Sequence, residues 1–217
     1  MTTKKDGVVI LSSLKNTWQP KLLDKNFRTR FLSSFFFLAV ILFFFTRFLH
    51  LNEKQPGFSF SDPLLSLFHP VDVTWLTFGL IYTALIIALV GLSFHPGNFI
   101  IAIQSYALLV IVRFMTLYLL PLNPPASTIP LVDPFVQLFG GGQTLCRDLF
   151  FSGHTSIMFL FFLTSKTKNL KIIFLIATVL VGASVLIQHV HYTIDVLAAP
   201  FFAYSCYRAA IMINNRS

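Results

Sequence analysis

Three groups of residues have the types and spacing that phosphoryl chemistry needs. In the stretch SGHT, His154 stands between Gly153 and Thr155, one glycine after Ser152, at the edge of an apolar segment. A helix that opens on such a turn leaves its first backbone N–H groups without intrahelical partners. Together with the Ser152 and Thr155 hydroxyls, they form a cradle for an anion. A histidine in that cradle can give a proton to the leaving oxygen of a bound phosphoryl group.

The stretch QHVHYTIDVLAAP supplies the complementary part. His191 and Asp195 are four residues apart, so on a helix they share one face. A carboxylate that holds one ring nitrogen leaves the other lone pair free to attack phosphorus. Arg113 and Arg147 are available to neutralise phosphoryl oxygens, which a guanidinium fits well. Each piece has a plainer reading: SGH as a capped helix start, His-x-x-x-Asp as a local hydrogen bond, Arg113 as a side chain snorkelling to an interface. His189 and His191, followed by Asp195 and with His154 as a further ligand, invite a metal reading, but residues two apart point in different directions on a helix and would share a site only if the helix starts after them, so no metal and no cofactor is expected.

The elements that must position these groups are membrane helices. Hydrophobic residues make up 55% of the 217-residue chain and charged residues 11%, too little polar surface for a water-soluble protein of this size. A span needs about 20 mostly apolar residues to cross roughly 30 Å of hydrocarbon. Six segments qualify, near residues 31–50, 73–94, 98–120, 150–165, 170–189 and 192–213. The fourth is short as drawn, and its start can lie a few residues earlier. The expected fold is therefore all-α, a polytopic bundle of six transmembrane helices over 31–213 that carries the catalytic groups, preceded by a basic cytoplasmic segment, 1–30. The first span is too long for a signal peptide's apolar region and lacks a small-residue cleavage site, so it reads as an anchor.

Of sixteen lysines and arginines, twelve fall on one face of this topology: seven before the first span, Lys166, Lys168 and Lys171 between the fourth and fifth, and Arg208 and Arg216 at the end. Arg47, Lys54, Arg113 and Arg147 occupy the other face. The positive-inside rule then makes both termini cytoplasmic. The net charge of +8 reads as orientation signal and contact with anionic headgroups, with no nucleic-acid partner. The same topology brings Arg113, Thr116, His154, His191 and Asp195 to the extracytoplasmic face. Ionisable residues in spans are costly and face a bundle interior or an aqueous cavity, so one shared polar pocket accounts for all five.

The leader mixes apolar and basic positions around Pro20, which suits either a helix lying in the interface or a flexible tail. Cys146 and Cys206 lie too far apart in the topology to form a disulfide. The connection from Pro121 to Pro134 and the run Gly140 to Gly142 suit a cover over the pocket or an ordinary loop.

CRDLFFSGHTS and HYTIDVLAAPFFAY resemble the two signature segments of the sphingomyelin synthases, C-G-D-x-x-F-S-G-H-T and H-Y-T-x-D-V-x-x-A-Y, with Arg147 in place of the glycine and Pro200 in place of the tyrosine. RFMTLYLLPLNPP is similar to the arginine-and-threonine segment ahead of those motifs, and SDPLLSLFHPVD is a fainter echo. The resemblance runs from Arg113 to Tyr207 and implies the wider superfamily of type 2 phosphatidate phosphatases. By that resemblance the enzyme works without metal, His191 is the nucleophile, Asp195 its partner, and His154 the acid toward the leaving group. The phosphatase branch carries an arginine six residues before the nucleophile, where Val185 stands here, and a K-x-x-x-x-x-x-R-P motif that this chain lacks.

The expected function is transfer of a phosphoryl or phospho-headgroup from a phospholipid to a lipid alcohol, such as ceramide or diacylglycerol. Hydrolysis by a lipid phosphate phosphatase is the alternative. A transporter that binds an anion without cleaving it is the rival from another class, and the chain lacks the internal repeat many transporters show. Partners are membrane lipids, and the short chain suggests a bacterial inner membrane.

Overall fold

The computed structural model describes residues 3–132 and 145–215, with side chains from residue 12 onward. The Gly140–Gly142 run, the Asp133–Pro134 end of the proline-rich connection, the Lys4 and Lys5 side chains and Arg216 lie outside the described residues. Among the described residues there are seven α-helices and no strand: α1 Thr3–Leu23, α2 Lys25–Asn52, α3 Thr74–Ser93, α4 Pro96–Leu119, α5 Gly153–Thr164, α6 Lys168–Ile187 and α7 Thr193–Asn215.

Local chemistry starts most of them. Asp24 accepts from the Asn26 N–H at 2.9 Å to open α2, Asp72 does the same for Thr74 and α3, and Thr167 accepts from Leu170 N–H to open α6. Pro96 occupies the first turn of α4, where its missing N–H costs nothing. The chain of α7 continues through Pro200 without a break.

Five helices (α2, α3, α4, α6 and α7) are long and apolar enough to cross a membrane. The expected fourth span is different. It opens at Gly153 rather than at or before residue 150, because Ser152 caps it there, and it has 12 residues. Twelve residues rise about 18 Å, well short of the hydrocarbon thickness. It lies inside the bundle, against α3, α4, α6 and α7.

The bundle is apolar on its outer surface, as suits lipid, and its largely apolar interior also encloses polar side chains. Phe36, Trp75, Val179 and Phe201 are 65–84% exposed, whereas Thr77, Ser105, Ser156 and Asp195 are fully buried. The buried hydroxyls bond back one turn along their own helices: Ser105 to the Ile101 carbonyl at 2.6 Å, Thr178 to Phe174 at 2.7 Å. Ala199, Ala203 and Ala210 on α7 are fully buried, and the first two pack with Leu109 on α4 and Phe151. Cys146 and Cys206 are free thiols.

The leader is helical. Trp18 on α1 donates from Nε1 to the Ser93 carbonyl at the end of α3 (2.6 Å) and meets Phe27, Phe31 and Phe99 edge-on. This ties α1 to the α3–α4 turn at the end of the bundle away from His191.

Candidate active site

At the other end of the bundle the motifs converge, and backbone hydrogen bonds join them. Ser152 is the N-cap of α5, with its Oγ accepting from the Thr155 N–H at 3.4 Å and the Thr155 hydroxyl at 3.1 Å. The two hydroxyls expected to face an anion are therefore engaged with each other. Gly153 and His154 fill the first two helical positions, where N–H groups have no intrahelical acceptor and the helix dipole favours negative charge. His154 is half-buried, and the Phe78 ring approaches it edge-on at 6.3 Å.

Arg113, on the last turns of α4, is 5% exposed and reaches this turn. Its Nη1 donates to the Phe151 carbonyl at 2.9 Å and its Nη2 pairs with Asp148, while Thr116 donates to the Phe150 carbonyl at 3.0 Å. Gly153 leaves room for this guanidinium: a Cβ there would sit 2.5 Å from the Arg113 Cζ and displace it. The glycine of SGHT thus admits a guanidinium to the N-terminus of α5, and two positive features share one spot.

His191 and Asp195 meet, though not on a helix face as the spacing suggested, because α7 begins only at Thr193. Asp195 folds back over the first turn: its Oδ2 accepts from the Tyr192 N–H at 3.0 Å and lies 3.4 Å from His191 Nδ1. This is the acidic half of a capping box, with Tyr192 at the N-cap position. His191 is 2% exposed and Asp195 fully buried, and among the described residues Asp195 Oδ1 has no hydrogen-bond partner. The Nδ1 side of the His191 ring faces Asp195, which leaves Nε2 as the nitrogen turned away from the carboxylate.

The Asp195 N–H is met by the Tyr192 carbonyl at 3.0 Å, and the Thr193 N–H by a residue 131 positions before it. Asp62, in the α2–α3 connection, accepts from the Thr193 N–H at 2.6 Å and the Thr193 hydroxyl at 3.0 Å, and also from the Leu64 and Leu65 N–H groups. Burial pushes its pKa up, but these hydrogen bonds outweigh that and hold the carboxyl below its usual range. Phe60 stacks on Tyr192 at 3.9 Å, and the Tyr192 hydroxyl donates to the Asn123 carbonyl at 3.0 Å. Phe58 and Leu122 form a β-bridge alongside. Gly57 permits it, since a Cβ there would lie 2.7 Å from the Leu122 carbonyl carbon.

Arg147 is not brought to the histidines. Its guanidinium bonds the Gln55 carbonyl just beyond α2, and its N–H and that of Cys146 donate to the Glu53 carboxylate at 3.1 Å. His189 also diverges from His191. It is buried at φ 54°, with Nδ1 2.6 Å from the Ser127 Oγ and the Phe68 ring 5.0 Å away. Gln188, fully buried, ties the same corner to Val73, Thr74 and Ile129. Asp62, Glu53, Asp148 and Gln188 are the supporting residues that motif spacing does not reveal. Asp148 lies in the CRDLFFSGHTS match, Gln188 begins the QHVHYTIDVLAAP stretch and Asp62 falls in the faint SDPLLSLFHPVD similarity, whereas Glu53 lies in none of these segments.

Residues 145–211 match the family model described as PAP2 superfamily C-terminal. The matched segment holds His154, His191 and Asp195 and supports phosphatase-type chemistry of the type 2 phosphatidic acid phosphatase superfamily; Arg113 and Asp62 lie outside it. No curated protein and no solved structure matches the chain.

Proposed function

We propose that this is an integral membrane lipid phosphotransferase, similar to the sphingomyelin synthases, that moves a phosphoryl or phospho-headgroup from a phospholipid to a lipid alcohol such as ceramide or diacylglycerol. The observation that carries this reading is the hydrogen bond from Ser152 N–H to the Asp195 carbonyl at 3.0 Å, because it couples the turn bearing His154 to the turn bearing His191. The active site faces the extracytoplasmic side, and both termini are cytoplasmic.

In the first step His191 Nε2 attacks phosphorus, an N–P bond forms, and the P–O bond to the leaving alcohol breaks as His154 protonates that oxygen. Asp195 holds the Nδ1 side of the ring and balances the charge that develops on it. Arg113 and the α5 N-terminus face the charge on the phosphoryl oxygens. In the second step the acceptor hydroxyl gives its proton to His154, bonds to phosphorus and releases His191. Water as acceptor turns the same steps into hydrolysis, the alternative that the family match leaves open.

The test is mass spectrometry of lipid products after incubating the purified protein with mixed phospholipid donors plus ceramide and diacylglycerol, with His191→Ala alongside. A new phospho-headgroup lipid absent from the variant establishes transfer and names the acceptor. Free phosphate or free phospho-headgroup without a new lipid makes the enzyme a hydrolase. Identical products from both proteins defeat the enzyme reading and favour a transporter.

A further inference from the structure

The end of α7 that presents His191 takes an acceptor for its first turn from a distant connection. At α2, α5 and α6 the capping side chains are local, from Asp24, Ser152 and Thr167. At α7 the N-cap position is Tyr192, whose side chain is directed to the Asn123 carbonyl. The Thr193 N–H, an orphan donor of the first turn, is satisfied from a different connection by Asp62. Asp62 is itself fixed by two further N–H donors, from Leu64 and Leu65, in the 3-10 turn Leu65–Leu67. The Asp62 side chain is thus a pre-set acceptor that holds Thr193 in place. Through Thr193 it holds the one turn in which Asp195 reaches back to Tyr192 N–H and His191.

We infer that Asp62 is a positioning residue for the His191–Asp195 pair: through the Thr193 N–H and hydroxyl it is an external acceptor for the first turn of α7, and it keeps His191 in attacking orientation. This inference rests on the proposed phosphoryl-transfer reading for its consequence in turnover, though not for its structural content. Without this acceptor, the first turn of α7 opens, the 3.4 Å contact between His191 Nδ1 and Asp195 loosens, and the ring is free to rotate. A small misplacement of a reacting atom costs turnover on the order of 100-fold while leaving lipid binding intact.

The experiment compares wild type, Asp62→Ala, Asp62→Asn and His191→Ala in the full-length protein in lipid nanodiscs. Asparagine keeps one oxygen for the Thr193 N–H, but its amide nitrogen cannot accept from the Leu64 and Leu65 N–H groups that the second oxygen of Asp62 serves. The expected result is a kcat for Asp62→Ala lowered about 100-fold with KM within about twofold, and a kcat for Asp62→Asn between those of Asp62→Ala and wild type. A second readout does not need turnover: acylation of His191 by diethyl pyrocarbonate, followed on its peptide. His191 is 2% exposed. Its acylation should be about 5- to 30-fold faster in Asp62→Ala, matching the loss of one first-turn acceptor, and in Asp62→Asn between that rate and wild type.

Wild-type kcat and acylation rate in Asp62→Ala overturn the inference, as does an Asp62→Asn variant that fails as badly as alanine. If His191→Ala turns over as fast as wild type, the phosphoryl-transfer reading is what has failed, and the acylation rates alone decide the role of Asp62.

Discussion

Ser152 donates its backbone N–H to the carbonyl of Asp195 at 3.0 Å, so the turn that opens α5 and the turn that opens α7 are a single hydrogen-bonded unit. The side chains of that unit carry His154, His191 and Asp195, and Arg113 closes it from α4 through the Phe151 carbonyl. Four measurements probe how far each contact matters.

Asp195→Asn keeps the shape of the side chain and an oxygen for Tyr192 N–H, but removes the negative charge beside His191. Turnover should fall on the order of 10³-fold with the fold intact, since the carboxylate stabilises the charged ring as phosphorus is attacked. Steady-state kinetics with the best phospholipid donor checks this. A variant within tenfold of wild type would mean that His191 is not the nucleophile.

Gly153→Ala sets a Cβ against the Arg113 guanidinium, 2.5 Å from Cζ. The guanidinium is the far end of a flexible side chain, so the fold should survive while Arg113 leaves Asp148 and the Phe151 carbonyl. Activity should drop about 10- to 100-fold, as expected when a charge aimed at the phosphoryl oxygens is withdrawn. The melting temperature in detergent should hardly move. A large fall in that temperature with activity retained per folded molecule would contradict this account.

His189 gives the fold a defined acid sensitivity. Burial pushes its pKa below the usual histidine value of 6.5; Asp62 nearby pulls it up and His69 pushes it down. A base whose folded pKa is depressed takes up its proton more readily when unfolded. Its contribution to stability is therefore complete above pH 6.5 and is lost as pH falls below that value toward the folded pKa. His189→Asn accepts the left-handed backbone at φ 54° and does not titrate. Thermal stability of wild type should fall between pH 7 and pH 5 more steeply than that of the variant. Parallel curves would remove His189 from the explanation.

Trp18→Ala removes the 2.6 Å bond to Ser93 and the contacts with Phe27, Phe31 and Phe99. Because Trp18 is half-buried, the cost should be about 1–3 kcal/mol, below that of a fully buried tryptophan. The site lies at the other end of the bundle, so kcat should stay within twofold. Limited proteolysis should cut α1 faster in the variant; equal cleavage rates would show that α1 is held by something other than this tryptophan.

The amino-acid sequence by itself determined the elements and the reactive groups. Apolar runs of span length mark α2, α3, α4, α6 and α7. The pairs His154 with its glycine turn, and His191 with Asp195, were legible because their spacing is local. The meeting of Arg113 with the SGHT turn was legible too, since helix direction alone sends both to one end of the bundle. Spacing could not tell that α5 is only 12 residues long and enclosed, because a buried helix and a short span are equally apolar.

The tertiary structure decided how those groups are held. Arg113 pairs with Asp148, Arg147 bonds Gln55 in place of the histidine cluster, Glu53 binds two N–H groups of the SGHT approach, and Asp62 accepts from the first turn of a helix 131 residues downstream. The physical reason is the same in each case. A buried polar group takes the partner that packing brings within 3 Å or so, and across a loop of many residues no periodicity in the chain encodes which one that will be.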